Sequence, residues 1–189
     1  FRLWAPLADH VDVVLIGDIE RRIRLDREDG GTFHIVIDGV APGARYFFDM
    51  GNGTLRPDPA SRLQPEGVFG PSEVVASVPD PAFGWSGRPL HEYVIYELHI
   101  GTFTHEGTFD AAIRRLPELK ELGITAIEIM PVAAFSGTRN WGYDGAYPFA
   151  VHSAYGGPDG LRRFAAACHS HAMALILDVV YNHLGPEGT

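Results

Sequence analysis

The side chains best equipped for chemistry crowd into one short stretch, Asp178-Val-Val-Tyr-Asn-His183, where a carboxylate, an amide and an imidazole fall within six positions. They follow the apolar run Ala174-Leu-Ile-Leu177 and precede Gly185-Pro186, a pair hostile to helix. Residues 174–180 are too few and too apolar for an amphipathic helix. They read as a strand covered on both faces, as in a parallel sheet, with Asp178 buried inside it. A carboxylate in such a place must be hydrogen-bonded or paired. Polar groups just past the strand stand at its carboxyl end, where barrels of alternating strands and helices build their active sites. Each residue has a plainer account too: an acid that only ties down neighbouring loops, a histidine satisfied within the core.

A second group comprises Trp141 and Tyr143, within Asn140-Trp-Gly-Tyr-Asp-Gly145. Aromatics between a strand and its loop serve either as binding faces or as packing. Glu97, His99 and Glu128 alternate with apolar residues. Facing a barrel axis is one reading of them, and a hydrogen-bonded interior layer is the favoured one. His105 and Glu106 carry no assignable chemistry. Cys168, after three alanines, reads as a small packed hydrophobe.

The elements that must position these groups fall into two kinds. Residues 1–77 read as all-β, with short strands at 1–4, 11–16, 19–25, 32–37 and 45–50 separated by turn signals such as Asp29-Gly30-Gly31 and Pro42-Gly43. Several strands at this spacing predict a small antiparallel sandwich. Trp4 is expected in one of its core strands, and no exposed row of Trp or Tyr is evident. Residues 51–90 are rich in Gly and Pro but keep Leu63, Val68, Phe69 and Trp85. That composition predicts a connector packed along the interface of two domains, 1–85 and 86–189.

From residue 93 the pattern changes. Residues 93–100 read as a strand, and Phe109, Ile113, Leu116 and Leu119 recur at helical spacing behind Thr108 as N-cap. Pro117 should kink or split that helix, and Gly123 should end it. A second buried strand (124–130), a long loop (131–157), a helix from Pro158 to about residue 171 and a third strand (174–180) follow. This order implies right-handed parallel units. The turn at 101–107 lacks the three-glycine phosphate cradle of dinucleotide folds, so a closed barrel is favoured over an open sheet. A barrel typically needs about 250 residues, so only its first three strands are expected here.

Composition narrows the function classes. Lysines and arginines number 15 against 24 acids, a formal charge of 15 − 24 = −9 over 189 residues. An acidic chain without a basic stripe argues against nucleic acid and anionic membrane surfaces. The single cysteine rules out an internal disulfide and suggests a reducing, cytoplasmic setting. Phe1-Arg-Leu-Trp4 is not a signal peptide and reads as the middle of a strand, so the amino end is expected to be cut.

At Asp178-Val-Val-Tyr-Asn-His183 the chain resembles the α-amylase superfamily of glycoside hydrolases. The resemblance runs over nearly the whole chain, through Phe1-Arg-Leu-Trp-Ala-Pro6, Arg56-Pro-Asp-Pro-Ala-Ser61, Gln64-Pro-Glu-Gly67 and Tyr96-Glu-Leu-His-Ile-Gly-Thr-Phe103. It continues through Asn140-Trp-Gly-Tyr-Asp-Gly145, Tyr155-Gly-Gly-Pro-Asp-Gly160 and Asn182-His-Leu-Gly-Pro-Glu187. It implies an immunoglobulin-like β-sandwich followed by an incomplete (β/α)8 TIM barrel. The set is most similar to the superfamily's trehalose-releasing members. These are retaining hydrolases that cut the α-1,4 bond next to the terminal trehalose of malto-oligosyltrehalose. Glycogen branching on an α-1,4-glucan is the near rival, although its loop usually carries Gln where Asp144 stands. A non-catalytic glucan-binding module is the third reading.

The resemblance implies that the three catalytic carboxylates come from strands beyond this chain, which alone should be inactive. His183 would donate to a hydroxyl of the sugar at the cleavage subsite, and Tyr143 would lie flat under that sugar. Trp141 would contact substrate as well. Asp178 and Asn182 would hold the strand end and loops. No metal and no cofactor are expected, and neither a nucleic acid nor a membrane partner.

Overall fold

A computed structural model describes residues 1–77 and 85–187. Pro79-Asp80-Pro81 of the predicted connector lies outside the described residues. In the amino-terminal part the chain forms β1 (Arg2–Trp4), β2 (Asp12–Ile16), β3 (Arg21–Arg24), β4 (Asp26–Arg27), β5 (Thr32–His34), β6 (Arg45–Asp49), β7 (Leu55–Arg56) and β8 (Ser72–Glu73). These pair into two antiparallel sheets, one ordered β1-β5-β4 and the other β3-β2-β6-β7, with β8 also on β6. The alternation of each strand sends Leu3, Val11, Val13, Leu15, Phe33, Tyr46 and Phe48 into one core.

The same alternation corrects the expectation for Trp4. With Leu3 inward, Trp4 must point outward, and it is 70% exposed, its indole N–H bonded to the Gly30 carbonyl at 3.1 Å. Several strands are also shorter than their apolar runs, since Ile19, Val36 and Met50 are exposed rather than paired.

The connector is fastened by a buried polar network. The Tyr46 hydroxyl donates to the Asp58 carboxylate at 2.7 Å, and the Ser72 hydroxyl donates to the Gln64 side chain at 2.7 Å. The Ser72 oxygen also accepts from the Asp58 backbone N–H. Burial is the main reason that Asp58 is held above the usual carboxylate range, with the Tyr46 bond pulling the other way. Beyond it, Val68 packs with Ala134, Ala146, Tyr147 and Ala150, and its carbonyl accepts the Tyr147 hydroxyl at 2.9 Å. The connector therefore reaches the loop that carries the candidate site.

The remainder alternates strands and helices: β9 (Ile95–Leu98), α1 (Ile100–Phe103), α2 (Phe109–Ile113), α3 (Leu116–Glu121), β10 (Ala126–Ile129), β11 (Ala133–Ala134), β12 (Tyr147–Val151), α4 (Gly157–Ser170) and β13 (Ala174–Leu177). Strands β13, β10 and β9 form a parallel sheet in that order, with Glu97 level with Glu128 and Glu128 level with Ile176. Leu98, Ile127, Ile129 and Leu175 face a core closed by Phe109, Leu116, Phe164 and Cys168. Pro117 does split the first helix, at the α2–α3 junction. The Thr108 hydroxyl caps α2 by accepting the Ala111 N–H at 3.2 Å. Gly123 ends α3 with φ +91°.

Three strand expectations need correction. The first parallel strand stops at Leu98, and Ile100 already starts a short helix. The 131–157 loop contains an antiparallel pair, β11 with β12. Finally, β13 ends at Leu177, so Asp178 lies past the strand and is half-buried, not enclosed. The reason is topological. Among the described residues β13 pairs only with β10, so it is an edge, and Leu177 is 44% exposed.

Candidate functional site

Parallel pairing brings the carboxyl ends of β9, β10 and β13 side by side, and the groups that follow them converge on one loop. That loop, 138–145, leaves β10 through Pro131 and β11 and returns into β12. Asn140 turns it, its side-chain oxygen accepting the Gly142 N–H at 2.7 Å. Gly142 has φ +100°, and a Cβ there would stand 2.2 Å from the Pro131 carbonyl oxygen. Only glycine fits so close to a neighbouring backbone. From the other side, Gly185 approaches Asp144 equally tightly, and its N–H bonds to the Gly145 carbonyl at 2.9 Å.

Tyr143, 40% exposed, donates its hydroxyl to the Asp178 carboxylate at 3.4 Å. Desolvation is the main cause that pushes the Tyr143 phenol up. The Asp178, Glu97 and Glu128 carboxylates around it add to the effect. His183 sends Nε2–H to the Tyr143 carbonyl at 2.8 Å. A carbonyl only accepts, so Nε2 carries the proton. Asp178 and His183 from one stretch of sequence and Tyr143 from another are thus brought together. The His183 ring itself remains exposed.

Trp141 stands apart from that trio. At 77% exposed, it lines a cavity of about 800 Å³ together with His99, Thr102, Arg139, Asn140 and Tyr155. Asn182 shares with His183 a second depression of about 380 Å³, which Phe149 and Tyr181 also line. The Glu97 and Glu128 carboxylates sit level with each other on the sheet face opposite the helical core.

Sequence reasoning placed His99 in a hydrogen-bonded interior layer without a role at the site, and did not single out Tyr155. His99 follows the last residue of β9, and its Nε2 lies 2.8 Å from the Asn140 carbonyl. Its place in Leu98-His99-Ile100-Gly101, at the carboxyl end of a parallel strand, was the signal available. Tyr155 is buried against it, and burial pushes the Tyr155 phenol up to about 12. Among the described residues no three His, Cys, Asp or Glu side chains converge as a metal site requires, and no helix is long and apolar enough to cross a membrane.

The arrangement is an open cavity with the flat face of Trp141 and several hydrogen-bonding groups on its wall and, outside that lining, the partly exposed ring of Tyr143 held by Asp178. It suits a ligand of stacked rings and many hydroxyls.

Comparisons with known proteins agree with that chemistry. Residues 59–189 match the family described as alpha amylase, catalytic domain, and residues 1–62 match carbohydrate-binding module 48, the isoamylase N-terminal domain. Malto-oligosyltrehalose trehalohydrolase of Saccharolobus solfataricus is 49% identical over 194 residues, which cover 100% of this chain and 33% of the relative. A 1,4-alpha-glucan branching enzyme of Xanthomonas campestris is 32% identical over 210 residues, covering 97% of this chain and 28% of the relative. The 1.4 Å crystal structure of a Salmonella typhimurium protein described as an alpha amylase superposes with a TM-score of 0.94 at 47% identity, over 100% of this chain and 32% of that one. The chain spans about a third of the length of the curated trehalohydrolases it matches.

Proposed function

The chain belongs to the α-amylase family, and on that premise we propose that it forms part of a retaining glycoside hydrolase that releases trehalose from malto-oligosyltrehalose. The bond cut is the α-1,4 linkage next to the terminal trehalose. The observation that carries this reading is the identity to trehalohydrolases, which extends over the whole chain and exceeds that to the branching enzyme.

In this reading Tyr143 lies under the sugar at the cleaved bond. Sugar rings present C–H faces that pack on aromatic faces, and the hydrogen bond to Asp178 fixes the ring's tilt. Trp141 offers a second face for the neighbouring sugar along the 800 Å³ cavity. His183 contacts a hydroxyl of the sugar on Tyr143 while its Nε2 keeps the loop in place. Asp178 and Asn182 support the strand end and loops. Retaining cleavage needs a nucleophile and an acid/base about 5–5.5 Å apart. We assign neither role within this chain: the resemblance to the α-amylase family implies that the pair belongs to strands outside it. No metal or cofactor takes part.

The proposal includes the architecture. Residues 1–85 form an immunoglobulin-like sandwich with its connector, and 86–189 supply the first three strands of an eight-stranded barrel. The parallel order of β9, β10 and β13 supports this. The catalytic-domain match reaches back to residue 59, so the connector serves both parts. The setting is cytoplasmic and the substrate a malto-oligosyltrehalose.

The test is to express the full gene product and incubate it with maltotriosyltrehalose and, separately, with amylose. Free trehalose from the first is the expected result. New α-1,6 branch points in amylose without trehalose would replace this reading with glucan branching. Retention in an amylose gel with no turnover would reduce it to a binding module.

A further inference from the structure

We infer that His99 is a positioning residue for the sugar-facing loop, forming with His183 the two ends of a clasp. The inference rests on the reading above and identifies what holds its aromatic platform in place. His99 Nε2 lies 2.8 Å from the Asn140 carbonyl, so Nε2 is the protonated nitrogen, and Nδ1 accepts from the Thr102 hydroxyl at 3.2 Å. The Tyr155 hydroxyl sits 3.3 Å from the same Nε2, and the two rings meet edge to face with centroids 5.9 Å apart. Gly101 leaves the imidazole its space. A Cβ at 101 would come within 2.9 Å of ring carbons of both His99 and Tyr155.

On the far side of the loop, His183 Nε2–H is bonded to the Tyr143 carbonyl at 2.8 Å. Between the two held carbonyls lie only Trp141 and Gly142. The imidazoles come from the ends of β9 and β13, the strands that flank β10 in the sheet. The clasp therefore spans the central strand and grips the loop that rises beyond it. Both holds are on backbone oxygens, so they fix where the chain runs, and the side chains they aim are the two flat faces, Trp141 and Tyr143. Neither ring touches the reacting bond.

The test uses the full-length protein with His99→Gln and His99→Leu. Glutamine places an amide nitrogen near the Nε2 position and keeps a donor; leucine keeps bulk and loses it. Two quantities are read: hydrogen exchange of the 138–145 amides, and kcat and KM for maltotriosyltrehalose. Loss of one such bond corresponds to about a twofold to tenfold change. We expect His99→Leu to speed exchange and raise KM by that factor with kcat little changed, and His99→Gln to stay near wild type in both. Unchanged exchange and KM in His99→Leu would overturn the inference. So would equal damage in His99→Gln, which would mark a packing role. Should His99→Leu not fold, Gly101→Ala, which crowds the ring without altering it, takes its place with the same expected changes. If the wild-type protein releases no trehalose, the functional reading falls while the exchange measurement still decides the clasp.

Discussion

Replacing His152 by phenylalanine should make the fold more resistant to acid. His152 follows β12, is 4% exposed and stacks on Phe135 with ring centroids 3.7 Å apart and planes at 16°. Its Nε2 is buried without a hydrogen-bond partner among the described residues. Burial pushes its pKa from 6.5 down to about 4. In the unfolded chain the ring takes up a proton near 6.5; in the fold it stays neutral until about 4. Between those values the unfolded state holds the extra proton, so stability drains away as the pH falls. The loss is about 0.2 kcal/mol at pH 7, about 2 kcal/mol at pH 5, and levels off at about 3.4 kcal/mol below pH 4. Phenylalanine keeps a flat ring against Phe135 and removes both the orphaned nitrogen and the titration. Every other group titrates alike in the two proteins, so the difference isolates position 152. Urea unfolding at pH 7 and pH 5 should show the wild type losing about 1.8 kcal/mol more than His152→Phe over that interval. Equal losses in both proteins would refute the reasoning.

Three further outcomes are expected. Tyr143→Ala should raise KM for maltotriosyltrehalose about tenfold by removing the stacking face, whereas Tyr143→Phe should stay within about threefold because only a long bond to Asp178 is lost; steady-state kinetics checks both. Gly142→Ala forces a side chain into φ +100° and against the Pro131 oxygen, so it should cost more than about 2 kcal/mol and lower the thermal midpoint. Tyr147→Phe removes the donor to the buried Val68 carbonyl and should cost about 1 kcal/mol, read as a shift of the urea midpoint with unchanged slope.

Local chemistry made much of the fold readable. Thr108, Pro117 and Gly123 marked a helix start, a break and a stop because each acts within one turn of chain, and the structure follows all three. The apolar runs that became β10 and β13 stood out because both lie within a parallel sheet. Features decided by distant neighbours were harder to see. Pro148 masked β12, since proline inside an apolar run argues against a strand unless the strand is short and at an edge. Trp4 was misread because alternation is relative, and only the pairing of Leu3 with Phe33 shows which residue faces inward.

The same division holds for the site. Tyr143, Asp178 and His183 were legible through their motifs, and they do meet. His99 was not, because its partner Asn140 lies 41 residues away and the bond is to a backbone oxygen, which no residue type announces.

The account depends on a sugar ring lying flat on Tyr143. The most direct measurement is a crystal structure of the full-length protein with a trehalose-capped malto-oligosaccharide bound. It should show a glucose ring within about 4 Å of the Tyr143 face and a neighbouring sugar over Trp141. An oligosaccharide bound elsewhere, with both aromatic faces left bare, would contradict the account.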